Sequence, residues 1–90
     1  MIPSSDEIVE SLRHHVVAVS GGTLSLDDVV PDVDVYDAGY VDSVGVTQFM
    51  LCVRDQYQVV IADSRLGTEL KSLRDLATRI HAELDRAAGA

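Results

Sequence analysis

The apolar residues of this 90-residue chain recur at helical spacing in three separate stretches, and no two alternating runs stand ready to pair as strands. Ile8, Leu12, His15/Val16 and Val19 make the first stripe. Pro3 and the Ser4–Glu7 spacing of a capping box open it, and Ser20-Gly21-Gly22 close it, which predicts a helix over 5–19. Val46, Phe49, Met50, Val53 and Tyr57 make the second, with Asp42 as N-cap and a helix over 43–57. Leu73, Leu76, Ala77 and Ile80 make the third. Ser72 and Asp75 repeat the capping-box spacing there, predicting a helix over 73–86 with residues 87–90 fraying.

The connections carry less periodicity. Residues 20–42 read as a long loop pinned to the core by Val29, Val30, Val33, Val35 and Tyr36. Loops of this length inside a compact domain are usually functional. Val59-Val60-Ile61 reads as an extended linker plugged into the core, since a lone strand is unstable. Asp63-Ser64-Arg65-Leu66 before Gly67 predicts a short helix over 63–67. The fold class is therefore all-α: a small four-helix bundle of three long helices and a short third one, in one domain over residues 1–90.

Charge narrows the function. The formal charge is −8, and it is lopsided: residues 1–45 hold nine acids and one base, Arg13, whereas 46–90 hold six of each. Six aspartates lie between positions 27 and 42 with no base among them. Such a chain is unsuited to nucleic acid, whose binding rests on lysine and arginine, and suited to basic partners. No run of about 18 apolar residues exists to span a membrane, and the N-terminus lacks the basic and apolar regions of a signal peptide. Cys52 is the one cysteine, so no internal disulfide or cysteine metal cluster forms; it is read as inert packing in a cytoplasmic protein.

Candidate chemistry is sparse. Asp32-x-Asp34-x-Tyr36-Asp37 begins like a calcium loop. It then places Tyr36 at the third ligand, Asp37 at the turn glycine and Ser43 at the closing glutamate. His14 and His15 are adjacent on one helix and point to different faces, one exposed and one half-buried, with no third ligand. No histidine shares a loop with Ser43, and neither a nucleophile elbow nor a phosphate-loop glycine pattern occurs. These readings give no catalytic residue and no metal site. What stands out is Gly39-Tyr40-Val41-Asp42-Ser43-Val44-Gly45, which sets a serine hydroxyl at the first turn of an apolar helix. Backbone N–H groups and the positive dipole end there tolerate a phosphate ester. A plain Asp-Ser helix cap is the rival reading. Val44, Thr47 and Leu51 lie off the core stripe, so that helix also carries an interaction face.

Asp42-Ser43-Val44, at mid-chain and opening the second helix, resembles the Asp-Ser-Leu motif of acyl and peptidyl carrier proteins. The order of helices, acidic loop and Ser72-Leu73-Arg74-Asp75-Leu76 follows the same family over nearly the whole chain. Locally, Tyr36-Asp37-Ala38-Gly39-Tyr40-Val41-Asp42-Ser43-Val44-Gly45-Val46-Thr47-Gln48 is similar to the corresponding stretch of D-alanyl carriers and other stand-alone carriers. The resemblance implies 4′-phosphopantetheine, esterified to Ser43 from coenzyme A by a separate phosphopantetheinyl transferase. It implies Asp42 as helix cap and motif acid, a partner face of Val44, Thr47, Gln48 and Leu51, and core positions at Phe49, Val53 and Tyr57. The implied partners are that transferase, an acyl- or aminoacyl-loading ligase (an adenylation enzyme) and a downstream acyltransferase or synthase.

The second helix departs from fatty-acid carriers, being nearly neutral with Gln48, Arg54 and Asp55 where glutamates are usual. Gly45, costing up to about 1 kcal/mol of helix stability against alanine, suggests close approach of a partner or of the arm. The expectation is a free-standing, monomeric acyl or aminoacyl carrier of natural-product biosynthesis, itself no enzyme. The alternatives are a D-alanyl carrier for cell-envelope modification and an unmodified helical interaction module.

Overall fold

In the computed structural model, which describes residues 2–89, both capping boxes form. Ser4 Oγ accepts the Glu7 N–H at 3.2 Å and opens α1, Ser5–Val19. Its buried face is Ile8, Val9, Leu12 and Val16. Ser72 Oγ accepts the Asp75 N–H at 3.1 Å, and the Asp75 carboxylate accepts the Ser72 N–H in return. Between them α2 runs Gly45–Tyr57, with Val46, Phe49, Met50 and Val53 buried. The third helix, α3, runs Leu73–Gly89 and buries Leu73, Leu76, Ala77 and Ile80. The principal helix–helix interfaces are those of α1 with α3 and with α2. No strand forms among the described residues, and the architecture is all-α.

Four expectations are corrected. Regular helix starts at Gly45 rather than residue 43, because the Asp42 carboxylate holds residues 43–44 in a turn. The short third helix over 63–67 is a single 3-10 turn, Asp63–Arg65. It stops there because Leu66 turns extended (φ −72°, ψ 128°), after which the left-handed Gly67 (φ 86°) sends its N–H to the Leu70 carbonyl. The bundle thus has three α-helices, with a second 3-10 turn, Leu26–Asp28, inside the long loop. The last helix continues through Ala87 and Ala88 to Gly89, beyond residue 86, as strong helix formers allow; Ala90 lies outside the described residues.

The fourth correction concerns what pins the loop. The buried anchors are Val29, Val35, Tyr40 and Val41, while Val30, Val33 and Tyr36 are partly exposed. Polar bonds complete the anchorage. Arg13 donates through Nε to the Val29 carbonyl at 2.9 Å and through Nη2 to the Leu26 carbonyl at 2.8 Å. The Val35 N–H donates to the Lys71 carbonyl, and the Arg74 N–H to the Pro31 carbonyl. The Arg74 side chain meets Asp32 at 2.5 Å and Asp6 at 3.5 Å. In the later linker Val59 is buried and Ile61 half-buried, but Val60 is 81% exposed, so only alternate residues reach the core.

Candidate functional site

The loop reaches α2 through a sequence of local bonds. Asp34 Oδ1 accepts the N–H groups of Tyr36 and Asp37, the side-chain turn that aspartate favours. Gly39 then takes a left-handed conformation (φ 77°), and the Tyr40 N–H returns to the Val35 carbonyl at 2.9 Å. The buried Tyr40 donates its hydroxyl to the Asp28 carbonyl and accepts the Val30 N–H, both at 2.8 Å. One phenol therefore ties the Asp42–Ser43 approach to the 3-10 turn of the loop.

Asp42 acts as the cap that its spacing predicts. Its backbone carbonyl accepts the Val46 N–H at 2.9 Å, and its Oδ1 accepts the Val44 and Gly45 N–H groups at 3.0 and 2.6 Å. Val44, directly before the regular helix, makes no side-chain cap bond. Ser43 sits inside this turn, exposed, and its hydroxyl enters none of the bonds that hold it. Gly45 has a reason inside the molecule. A Cβ there would lie 3.2 Å from Asp42 Oδ1 and 3.5 Å from Val19 Cγ1, so the glycine admits the cap and the end of α1.

One shallow groove borders the turn and a second lies farther along α2. One, about 290 Å³, runs between the end of α1 and the turn, past Val19, Ser20, Tyr40 and Val44. The other, about 200 Å³, lies between α2 and the later linker, past Thr47, Leu51, Arg54, Val60 and Asp63. Thr47 Oγ1 donates to Asp63 Oδ2 at 3.1 Å across it. The residues assigned to the partner face are all exposed: Val44 (82%), Thr47, Gln48 and Leu51 (44%). Phe49 and Val53 are fully buried and Tyr57 half-buried. Val60 belongs to the exposed apolar surface beside Leu51, a membership the valine run concealed. Strict alternation across Val59-Val60-Ile61 was the signal that could have revealed it.

The remaining polar candidates are occupied elsewhere. His14 is exposed, and His15 is half-buried with Nε2 2.5 Å from Gln56 Oε1. Asp32 is held by Arg74 and Asp34 by its own turn. Among the described residues, no three metal-ligating side chains gather to hold an ion, and no helix is long and apolar enough to cross a membrane.

A family model described as the phosphopantetheine attachment site matches residues 14–80. The chain belongs to that family. No curated protein matches it at a significant level. Members are non-catalytic carriers that hold 4′-phosphopantetheine covalently on a serine. The matched stretch contains Ser20, Ser25, Ser43, Ser64 and Ser72. The hydroxyls of Ser20, Ser25 and Ser72 are spent on local capping bonds. Ser64 lies in a three-residue turn, too short to present a helix dipole. Ser43 combines an exposed hydroxyl with the start of a long helix, so the residues present fit a carrier's prosthetic group.

Proposed function

We propose that Ser43 carries the phosphopantetheine arm and that the domain delivers an acyl or aminoacyl group, held as a thioester on the arm's terminal thiol, to partner enzymes of a natural-product pathway. The observation that carries this reading is the Ser43 hydroxyl, exposed at the mouth of α2 and left out of the cap that Asp42 makes. The dipole end of α2 favours the phosphodiester there. The domain's contribution is presentation: tethering raises the effective concentration of the cargo at each partner's active site.

The transferase, the loading ligase and the downstream acyltransferase or synthase would meet Val44, Thr47, Gln48 and Leu51 on α2. That face is uncharged, with the apolar Val44 and Leu51 beside Thr47 and Gln48, which supports a dedicated pathway over a housekeeping fatty-acid carrier with an acid-lined second helix. The stretch shared with D-alanyl carriers serves the fold: Gly39 makes a left-handed turn and the Tyr36 ring covers Gly67. Its likeness therefore does not single out alanine as cargo.

Incubation with coenzyme A and a broad-specificity phosphopantetheinyl transferase tests the proposal by intact mass. The Ser43 oxygen takes the phosphopantetheinyl phosphoryl group, adenosine 3′,5′-bisphosphate leaves, and the serine proton is released. The mass rises by one phosphopantetheinyl group, and Ser43→Ala abolishes the rise. No gain beside an active control carrier would establish the unmodified interaction module instead.

A further inference from the structure

Of the six arginines, five hold a carboxylate: Arg13 with Glu10, Arg65 with Glu69, Arg74 with Asp32, and Arg79 and Arg86 with Glu83. Arg54 makes none of the ion pairs among the described residues, in a chain with 15 acids. Its neighbour Asp55 lines a different groove, with His14 and Cys52, since successive helical residues diverge around the axis. Arg54 instead lines the groove between α2 and the later linker, whose walls include Met50, Leu51, Val60 and Ile61.

The groove is graded along α2. Thr47 and Asp63 stand bonded to each other at its near end, one helical turn past Ser43. Arg54 lies eleven residues past Ser43, about 16 Å at 1.5 Å per residue. An extended phosphopantetheine arm spans a comparable length. An arm laid along this groove would bring the group on its end to an apolar wall and a guanidinium, with the one acid of the groove, Asp63, near the arm's root.

We propose that Arg54 is a cargo-reading residue, and that the group this carrier holds ends in a free carboxylate. This rests on Ser43 as the attachment residue. A guanidinium recognises a carboxylate in a planar, two-bond arrangement that a lysine does not reproduce. The apolar wall limits competing hydration of the pair. Because Arg54 is exposed, the preference is modest, at most about a five-fold population difference of docked over undocked cargo, the size of an exposed ion pair.

The test loads the protein from succinyl-, butyryl- and 4-aminobutyryl-coenzyme A with the same transferase, checks each product by intact mass, and records ¹⁵N–¹H spectra. The succinyl form shifts the Arg54 Nε–H and the Leu51 and Ile61 amides beyond their positions in the unacylated arm-bearing form; the butyryl form leaves Arg54 Nε–H in place. Arg54→Gln removes the difference between succinyl and butyryl at Leu51 and Ile61, and Arg54→Lys restores only part of it. Identical spectra for the succinyl and butyryl forms, a difference that survives in Arg54→Gln, or a larger response to 4-aminobutyryl would overturn the proposal. Absence of any mass gain overturns the assignment of Ser43 with it, whereas loading with an indifferent Arg54 overturns the cargo assignment alone.

Discussion

Removing the Arg13 side chain should cost the domain a large share of its stability. Arg13 lies on α1, mostly covered, and its guanidinium spans four acceptor oxygens: the Val29 and Leu26 carbonyls at 2.9 and 2.8 Å and both Glu10 carboxylate oxygens at 2.9 Å. Hydrogen bonds from a charged donor contribute roughly 1.5–3 kcal/mol each. The exposed Glu10 pair adds well under about 1 kcal/mol. The two carbonyls are only partly buried and recover some water when released, which places Arg13→Ala at about 2–4 kcal/mol. A 90-residue domain holds about 5–13 kcal/mol in total at typical values per residue. Arg13→Lys keeps the charge and the stem, but one ammonium cannot serve two carbonyls set apart in a fork, so about half the loss should remain. Urea denaturation followed by circular dichroism measures both variants, with Glu10→Ala as a near-silent control and the m-value held constant as the check on two-state behaviour. Hydrogen exchange should quicken at Asp28, Val29 and Val30, whose N–H bonds depend on that part of the loop. An Arg13→Ala variant within about 0.5 kcal/mol of the parent, a scale typical of uninvolved surface sites, would refute the idea that this arginine anchors the loop.

Gly67→Ala should destabilise by about 2–3 kcal/mol, because it adds left-handed strain and a Cβ 2.4 Å from the Tyr36 ring. Adding Tyr36→Ala should remove the clash and leave the strain, giving a coupling measurable by a double-mutant cycle in urea. Tyr40→Phe strips the Asp28 carbonyl and the Val30 N–H of a partner and should cost about 1–3 kcal/mol in the same assay; an unchanged midpoint would deny the phenol its tie. Asp28 titrates below its ordinary 3.8, held down by the Ser25 N–H and then by the Ser25 hydroxyl. Its contribution is complete above that ordinary value and fades as pH falls through the lowered folded one. A carboxyl-carbon NMR titration should place its midpoint below 3.8, and a midpoint above it would remove this cap from the acid response.

What could be read from the sequence follows from how local each signal is. The helix α1 announces itself because cap, stripe and stop all lie within one element, and α3 announces its start by cap and stripe though not its end; both capping boxes form where Ser4–Glu7 and Ser72–Asp75 place them. The Asp42-Ser43 turn was equally legible, since its bonds close over three residues. The loop was less so. Nothing within residues 29–41 distinguishes the buried Val35 from the exposed Val33; the difference is set by a bond to Lys71, far along the chain. Likewise Gly45 answers to Val19 and Gly67 to Tyr36, contacts that no spacing rule exposes. Arg13 was the exception that offered a clue. A lone base amid nine acids is well placed to hold its half of the chain together, and it does so through carbonyls more than carboxylates.

The acidity of the loop also takes on a different meaning. Of the six aspartates from 27 to 42, four are engaged by the fold: Asp28 caps Ser25, Asp32 holds Arg74, Asp34 closes its own turn, and Asp42 caps α2. The carboxylates of Asp27 and Asp37 take no part in those bonds. The negative field survives this engagement, because a carboxylate accepting backbone N–H bonds keeps its charge, and it acts on basic partners over about a Debye length. Specific contact is another matter. A partner that drew Asp28, Asp34 or Asp42 into its own ion pairs would weaken the turns around Ser43, so on the carrier proposal close recognition would fall to groups free of such duties. Those are Asp27 and Asp37 on the loop, Val44 beside the serine, and Leu51 and Val60 in the groove farther along α2. On the carrier proposal, charge that also holds the loop would bring a basic partner near, and Asp27, Asp37 and the exposed apolar side chains would fix it.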